Sequence, residues 1–134
     1  MPHLQFDLNF EPPASEKTRF ASAIVQQFAR AMDTGTNHIA VSLRCGARED
    51  LTFGRASDPS RGIAFLNADL RRGRTADQKR RFALAAIDEL ERTLGVPRAA
   101  VYVIFTEHDG SDFQMHDGVL PSWSSGEDPL AALR

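Results

Sequence analysis

The sequence predicts an α+β fold in which two consecutive β-α-β repeats form a four-stranded sheet with two helices on one face. The first observation is an internal repeat, because residues 2–44 align without a gap with residues 64–106, and eleven of the 43 positions are identical. The second is a strand-like alternation of apolar residues at both ends of each copy, and the third is a helical spacing between them. Chance similarity between two amphipathic helices is the alternative, but the gapless register favours duplication.

The first copy shows all three elements of a β-α-β unit. Residues 4–8 alternate between apolar and polar side chains, as a half-buried strand does. Apolar residues then recur every four positions and predict one buried helix face: Phe20, Ile24, Phe28 and Met32. Gly35 suits the end of this helix, because glycine readily adopts the left-handed conformation that follows many helices. Renewed alternation over residues 39–43 predicts the second strand.

The second copy repeats this order. A strand is expected at about Ile63–Leu70, and a helix begins near Thr75, whose spacing to Gln78 allows a capping box. Its buried face is predicted from the same four-residue spacing: Phe82, Ala86, Leu90 and Leu94. The last strand is Val101–Phe105. Right-handed crossovers place both helices on one face of the sheet, so oligomerisation is expected to cover the other face, with part of the tail assisting.

The length of 134 residues fits one domain, since typical domains hold roughly 100–200 residues. The expected divisions are repeat 1 at about 2–44, a linker at 45–63, repeat 2 at about 64–106 and a C-terminal tail at 107–134. Linker and tail are rich in Gly, Asp and Ser, which is typical of irregular structure. Trp123 is expected to anchor the tail on a neighbouring surface.

Composition argues against several classes of function. The formal net charge of −2 gives no overall basic excess, so neither nucleic acid nor a membrane surface is an expected partner. The apolar runs are far shorter than the roughly 20 residues that a membrane helix needs. Cys45 is the single cysteine, and the four histidines lack metal-ligand spacing, so we expect neither a disulfide nor a metal site. No signal peptide is evident in residues 1–10, and we expect a cytoplasmic protein.

Pro2 follows the initiator methionine and opens the first strand. Many proteins begin Met-Pro without consequence. If Met1 is removed, however, Pro2 becomes a secondary amine, and an ordinary α-amino group has a pKa of about 7.7–8.0. An apolar pocket or nearby cations lower that pKa further, which suits a general base that removes a proton beside a carbonyl.

A basic turn connects the third predicted strand to the second helix. Gly73 lets the backbone turn, and Arg71 and Arg74 flank it close to a helix N-terminus. Two arginines in this arrangement are able to grip a carboxylate bidentately. The alternative is a solvated basic turn with no ligand.

Together these residues resemble the tautomerase superfamily, which includes 4-oxalocrotonate tautomerase, macrophage migration inhibitory factor and cis-3-chloroacrylic acid dehalogenase. The resemblance rests on Met1-Pro2 opening a strand, the doubled β-α-β unit and Leu70-Arg-Arg-Gly-Arg-Thr-Ala-Asp-Gln-Lys79. It extends over about residues 2–121. It is nearest to the dehalogenase-like group of doubled subunits, through Thr34-Gly-Thr36, the arginine turn and Val119-Leu-Pro121.

The resemblance implies a cofactor-independent tautomerase that assembles as a homotrimer. On this resemblance, Pro2 is expected to act as the general base in keto-enol interconversion of a small 2-keto or enol carboxylate, which Arg71 and Arg74 are expected to bind. Phe113 falls at the position of an active-site Phe in the short tautomerase subunit, and Tyr102 at that of an active-site Tyr in the migration-inhibitory-factor group. These two aromatic residues are expected to wall the substrate pocket.

The sequence also departs from the dehalogenase pattern. That group activates water with a His, a Tyr and a Glu, whose positions hold Arg30, Ile104 and Met115 here, so hydrolytic dehalogenation is not expected. Two alternatives to a tautomerase stay open. One is a decarboxylase or hydratase that uses Pro2 as acid or nucleophile, and the other is a non-catalytic trimer that binds a partner or a small acid.

Overall fold

The computed structural model of the protein describes residues 2–127. Its helices and strands in chain order are β1 (His3–Leu8), α1 (Ala14–Met32), β2 (Ala40–Cys45), β3 (Ala64–Arg71), α2 (Ala76–Leu94), β4 (Val101–His108), β5 (Gln114–Met115) and β6 (Gly118–Val119). The first four strands form a sheet in the order β2-β1-β3-β4. Pairing is parallel within each repeat, and antiparallel between β1 and β3 at the centre. The predicted α+β fold with two β-α-β repeats is confirmed.

The repeat is visible in the helices themselves. Helices α1 and α2 each contain 19 residues, and their first residues, Ala14 and Ala76, are separated by the offset of 62 that aligns the two halves of the sequence. The strands follow the same register, except that β4 continues to His108, two residues past the predicted end of the repeat. The two units are therefore structural as well as sequence repeats.

The core lies between the sheet and the two helices. Alternate residues of β1 and β3 point towards the helices and are buried: Leu4, Phe6, Leu8, Ala64, Leu66, Ala68 and Leu70. The predicted apolar residues of α1 meet them, with the Phe6 and Phe20 rings 4.9 Å apart in an edge-to-face contact. Phe28 and Phe82 join the two helices at 5.0 Å. Such ring pairs contribute roughly 0.5–1.5 kcal/mol beyond the burial of their area.

The helix ends bear out one prediction and correct another. The predicted capping box is present, because the Thr75 hydroxyl accepts from Gln78 N at 3.1 Å and the Gln78 side chain accepts from Thr75 N at 2.9 Å. Helix α1, in contrast, does not end on Gly35. Asp33 takes the left-handed conformation at φ 50°, so the turn begins two residues earlier than the glycine indicates. Aspartate tolerates this conformation better than most residues.

The linker and tail are less irregular than expected. Short 3-10 turns at Arg48–Asp50 and Pro59–Arg61 lie in the linker, and the β5–β6 hairpin lies in the tail. Residues 121–127 then continue to the end of the described chain. Within residues 2–127, neither α1 nor α2 is both long enough and apolar enough to cross a membrane.

Candidate active site

Pro2 lies at the same end of the sheet as the arginine turn. Strand β1 runs antiparallel to β3 with His3 opposite Asp69, and this register continued by one residue sets Pro2 opposite Leu70. Pro2 is buried, and its carbonyl accepts a hydrogen bond from Ala40 N at 3.0 Å. Because Arg71 is the next residue after Leu70, the sheet register alone brings the first strand's start beside the predicted carboxylate site.

The three arginines of the arginine turn differ in how deeply they are buried. Arg71 is 1% exposed and Arg74 is 7% exposed, whereas Arg72 points to solvent and pairs with Asp109 at 3.0 Å. Gly73 makes this turn possible with a φ of 112°, which other residues rarely adopt. Arg74 Nη1 donates to the Arg71 carbonyl at 3.3 Å, so the two buried arginines are held together. The alternative of a solvated turn therefore describes only the middle arginine.

The end of the described chain covers both buried arginines. Arg71 Nη1 donates to the Pro121 carbonyl at 2.8 Å and to Glu127 Oε2 at 3.2 Å, and Arg71 Nη2 donates to Glu127 Oε1. The Arg74 guanidinium stacks on the Trp123 ring, 4.4 Å from its centroid. The anchor expected at Trp123 is thus made on the chain's own arginine turn.

Burial makes the charge of Arg74 costly. Loss of hydration and, to a smaller extent, the neighbouring Arg71 charge lower the pKa of Arg74 to about 10, against the opposing effect of the Glu127 and Glu107 carboxylates. Arg74 still carries its proton at neutral pH. Two positive side chains kept out of water form a site suited to a carboxylate, and that of Glu127 is paired with Arg71 here.

Three buried N–H groups in this cluster have no acceptor within residues 2–127: Arg71 Nε, Arg74 Nε and Trp123 Nε1. An unpaired buried donor costs roughly 1–3 kcal/mol, so such groups are uncommon outside sites that bind something. A cavity of about 350 Å³ adjoins two of these residues, Arg71 and Trp123, and Arg72, Asp109 and Ser122 also line it. Its size suits a small organic acid.

The two predicted aromatic residues lie at opposite ends of the sheet. Phe113 is 9% exposed and meets the His108 ring at 5.8 Å, and His108 pairs with Arg71 across the sheet. Tyr102 instead pairs with Phe65 at the far end and is 50% exposed. Six residues of strand, at about 3.3 Å each, separate Tyr102 from His108 by about 20 Å. Within one chain, Phe113 joins the arginine end and Tyr102 does not.

Glu127 is the residue of this cluster that sequence reasoning misses. It lies 56 residues from Arg71 in the sequence, in a Ser-Ser-Gly-Glu segment without periodicity. A carboxylate in such a segment carries no signal that separates it from an ordinary solvated one. Only the three-dimensional path of the tail brings it to the arginines.

Comparison with known proteins gives a family match for part of the chain. Residues 65–121 match the family model described as tautomerase enzyme, and this segment runs from the second residue of β3 through the arginine turn, α2 and β4. The second repeat and the segment after it are thus similar to the tautomerase family. A search of curated protein sequences gives no significant match.

Several solved structures share the fold over most of their length. Macrophage migration inhibitory factor from Toxoplasma gondii is 21% identical with a TM-score of 0.76, covering 87% of this chain and 98% of that one. A fused 4-OT described as a symmetric trimer has 21% identity and a TM-score of 0.75, over 87% and 93% of the two chains. A malonate semialdehyde decarboxylase, described with decarboxylase and hydratase activities, has 18% identity and a TM-score of 0.70, over 83% and 88%. At these identities the likeness concerns the fold.

Proposed function

We propose that this chain is a cofactor-independent tautomerase that interconverts the keto and enol forms of a small 2-keto carboxylate. The observation that carries the proposal is the buried pair Arg71 and Arg74 at the end of the sheet where Pro2 precedes β1. A carboxylate needs the paired donors of an arginine, and proton removal beside a carbonyl needs a base close to that carboxylate. The match of residues 65–121 to the tautomerase family model supports the same reaction class.

In this reaction Pro2, freed of Met1, is the base. Its nitrogen removes a proton from the carbon next to the carbonyl, and the electron pair of that C–H bond moves towards the carbonyl oxygen. Protonation of that oxygen gives the enol, and the reverse sequence restores the ketone. Arg71 and Arg74 hold the carboxylate and stabilise the developing negative charge, an effect worth several kcal/mol in a dry site. Phe113 borders the site and excludes water.

We further propose a homotrimer, in which Tyr102 enters the site of a neighbouring subunit. The face of the sheet opposite the helices exposes two large apolar side chains, Tyr102 at 50% and Ile104 at 47%. Exposed apolar surface of this kind is typical of a subunit interface. The trimeric 4-OT structure supports the same assembly, and it accounts for Tyr102 lying about 20 Å from the arginine end of its own chain.

The test is Pro2→Ala, assayed by ketonisation of phenylenolpyruvate. Alanine keeps an amine at the chain start but loses the ring that fixes its direction, and we expect a fall in kcat/KM of at least tenfold. Pro13→Ala is the matched control, because Pro13 is an exposed proline before α1. Undiminished activity of Pro2→Ala contradicts the proposal.

Intact-mass measurement accompanies the assay and shows whether Met1 is removed. If Met1 is retained, the Pro2 nitrogen is acylated and has no available lone pair, which favours a non-catalytic binding trimer.

A decarboxylase or hydratase is the second candidate, favoured by the structural likeness to malonate semialdehyde decarboxylase. In that case a protonated Pro2 acts as the acid. The pH–rate profile separates the two roles: the rate rises with pH as a general base loses its proton, and falls with pH where the protonated amine is required.

A further inference from the structure

The segment of residues 121–127, here called the strap, lies across the arginine turn. Its carbonyl at Pro121 and its carboxylate at Glu127 both accept from Arg71, and its indole at Trp123 stacks on Arg74. A Cβ built on Gly73 lies 3.4 Å from the Trp123 ring, an ordinary van der Waals distance, so the strap packs directly against the turn. The strap thus covers the site where the substrate carboxylate is proposed to bind.

Glu127 contacts Arg71 as a bound carboxylic acid would. Both carboxylate oxygens face the guanidinium, with Oε2 accepting from Nη1 at 3.2 Å and Oε1 accepting from Nη2. The Arg71 side chain is 0% exposed and that of Glu127 is 7% exposed. This two-oxygen, two-nitrogen arrangement is the geometry by which arginine recognises carboxylates in general. The best-placed donors of Arg71 are therefore already in use.

Polar contacts at the end of α1 hold the strap in place. Gly35 N donates to the Glu127 carbonyl at 3.0 Å, and Gly126 N donates to the Asp33 carbonyl at 2.7 Å. Thr34 forms an isolated parallel bridge with Glu127. Apart from Trp123 and Glu127, the strap side chains are exposed and small or cyclic. A segment held by a few polar contacts and one stacked ring, with little apolar burial, opens at lower free energy than the core.

We propose that the strap is an internal ligand of the arginine site and that Glu127 determines the specificity of that site. A substrate carboxylate binds Arg71 only by displacing Glu127. This inference rests on the proposed function for the role of the arginines. It has a quantitative consequence: the apparent dissociation constant equals the intrinsic constant divided by the fraction of open strap. A strap that is closed nine-tenths of the time weakens the binding of a small acid tenfold.

The competing explanation is that Glu127 merely neutralises a buried charge. In that case its removal leaves Arg71 unpaired in a buried position, which destabilises the arginine turn and weakens anion binding. Internal competition and structural neutralisation therefore predict opposite changes in affinity.

The experiment measures binding of pyruvate, a small 2-keto carboxylate, by isothermal titration calorimetry. We expect Glu127→Gln to bind pyruvate at least tenfold more tightly than the wild type. Glu91→Gln is the matched control, because it removes the same charge from an exposed position on α2 and should leave the affinity unchanged. Binding by Glu127→Gln that is equal to or weaker than binding by the wild type overturns the proposal. So does a failure of both the wild type and Glu127→Gln to bind pyruvate.

A second measurement uses the wild-type protein and is independent of whether Glu127→Gln folds. Trp123 is the single tryptophan of the chain, so its fluorescence reports the strap alone. Saturation with pyruvate should raise the quenching of Trp123 by acrylamide at least twofold, because the displaced indole leaves Arg74. Saturated protein with unchanged quenching overturns the displacement. Neither readout requires turnover, so failure of the Pro2→Ala test and failure of the strap are distinguishable.

Discussion

Replacing Arg74 by methionine should separate stability from function. The pKa of Arg74 falls from its ordinary value to about 10, so the folded state disfavours its charged form by about 3 kcal/mol. Because this pKa lies below the unfolded value, the full penalty is present at every pH well below 10, including neutral pH. Methionine removes the charge, keeps an unbranched side chain of similar reach and still packs on Trp123.

The contacts that Arg74→Met removes nearly cancel the stability gained by removing the buried charge. The cation–π contact of Arg74 with Trp123 is worth about 0.5–2 kcal/mol, and its hydrogen bond to the Arg71 carbonyl about 1 kcal/mol. We therefore expect Arg74→Met to change the free energy of unfolding by no more than about 1 kcal/mol. Catalysis should suffer far more, since a charge-assisted hydrogen bond to a carboxylate contributes roughly 1.5–3 kcal/mol, and kcat/KM should fall about 10- to 100-fold.

The assays are urea denaturation at neutral pH and ketonisation of phenylenolpyruvate, with Arg80→Met as the matched control. Arg80 is exposed on α2, one turn beyond the arginine turn, so its replacement should leave both quantities almost unchanged. A destabilisation of Arg74→Met beyond about 2 kcal/mol would refute the claim that burial of this charge opposes folding. A fall in kcat/KM of less than threefold would refute its role in carboxylate binding.

Two further substitutions test the core and the pH dependence of stability. Phe28→Ala removes a fully buried ring that contacts Phe82 across the helices, so urea denaturation should show a loss of about 3–5 kcal/mol, and a loss under 1 kcal/mol would contradict the packing. Asp69→Asn tests a lowered carboxyl pKa: burial raises it, but hydrogen bonds from Thr106 and His108 outweigh that effect. The contribution of Asp69 is present above its ordinary pKa of 3.8 and disappears as the pH falls below that value, so the thermal stabilities of wild type and variant should converge in acid. A difference that persists to pH 2 would count against it.

The sequence predicts the helices and central strands because their signals are local and repeated. Four-residue spacing identifies the buried face of α1, and the spacing of Thr75 to Gln78 identifies the start of α2. The end of α1 is missed because Asp33 and Gly35 both tolerate the left-handed conformation, and tertiary contacts decide between them. The β5–β6 hairpin has two residues in each strand, too few for any periodicity to appear.

The site is predictable only in part, for a related reason. Arg71 and Arg74 are identifiable because the turn that positions them is a local feature, and strand register then accounts for Pro2. The proposed role of Tyr102 requires knowledge of how subunits assemble, and Glu127 requires the path of the tail, since it lies 56 residues from Arg71. Contacts of this kind leave no spacing in a single sequence.

The internal repeat gives a final comparison, because the 62-residue offset that relates the two halves aligns Arg71 with Asn9. Asn9 is also buried, and it fastens the linker to the sheet: its side chain donates to the Arg48 and Pro59 carbonyls, both at 3.2 Å, and accepts from Ile63 N at 2.7 Å. In both repeats, therefore, the turn after the first strand is covered by the segment that follows the repeat. In the first, a neutral side chain has all its hydrogen bonds made by backbone groups, and the turn is closed. In the second, the covering contact is an ion pair, which we propose a dissolved carboxylate replaces, and this difference in the chemistry of one position distinguishes the two ends of a repeated fold.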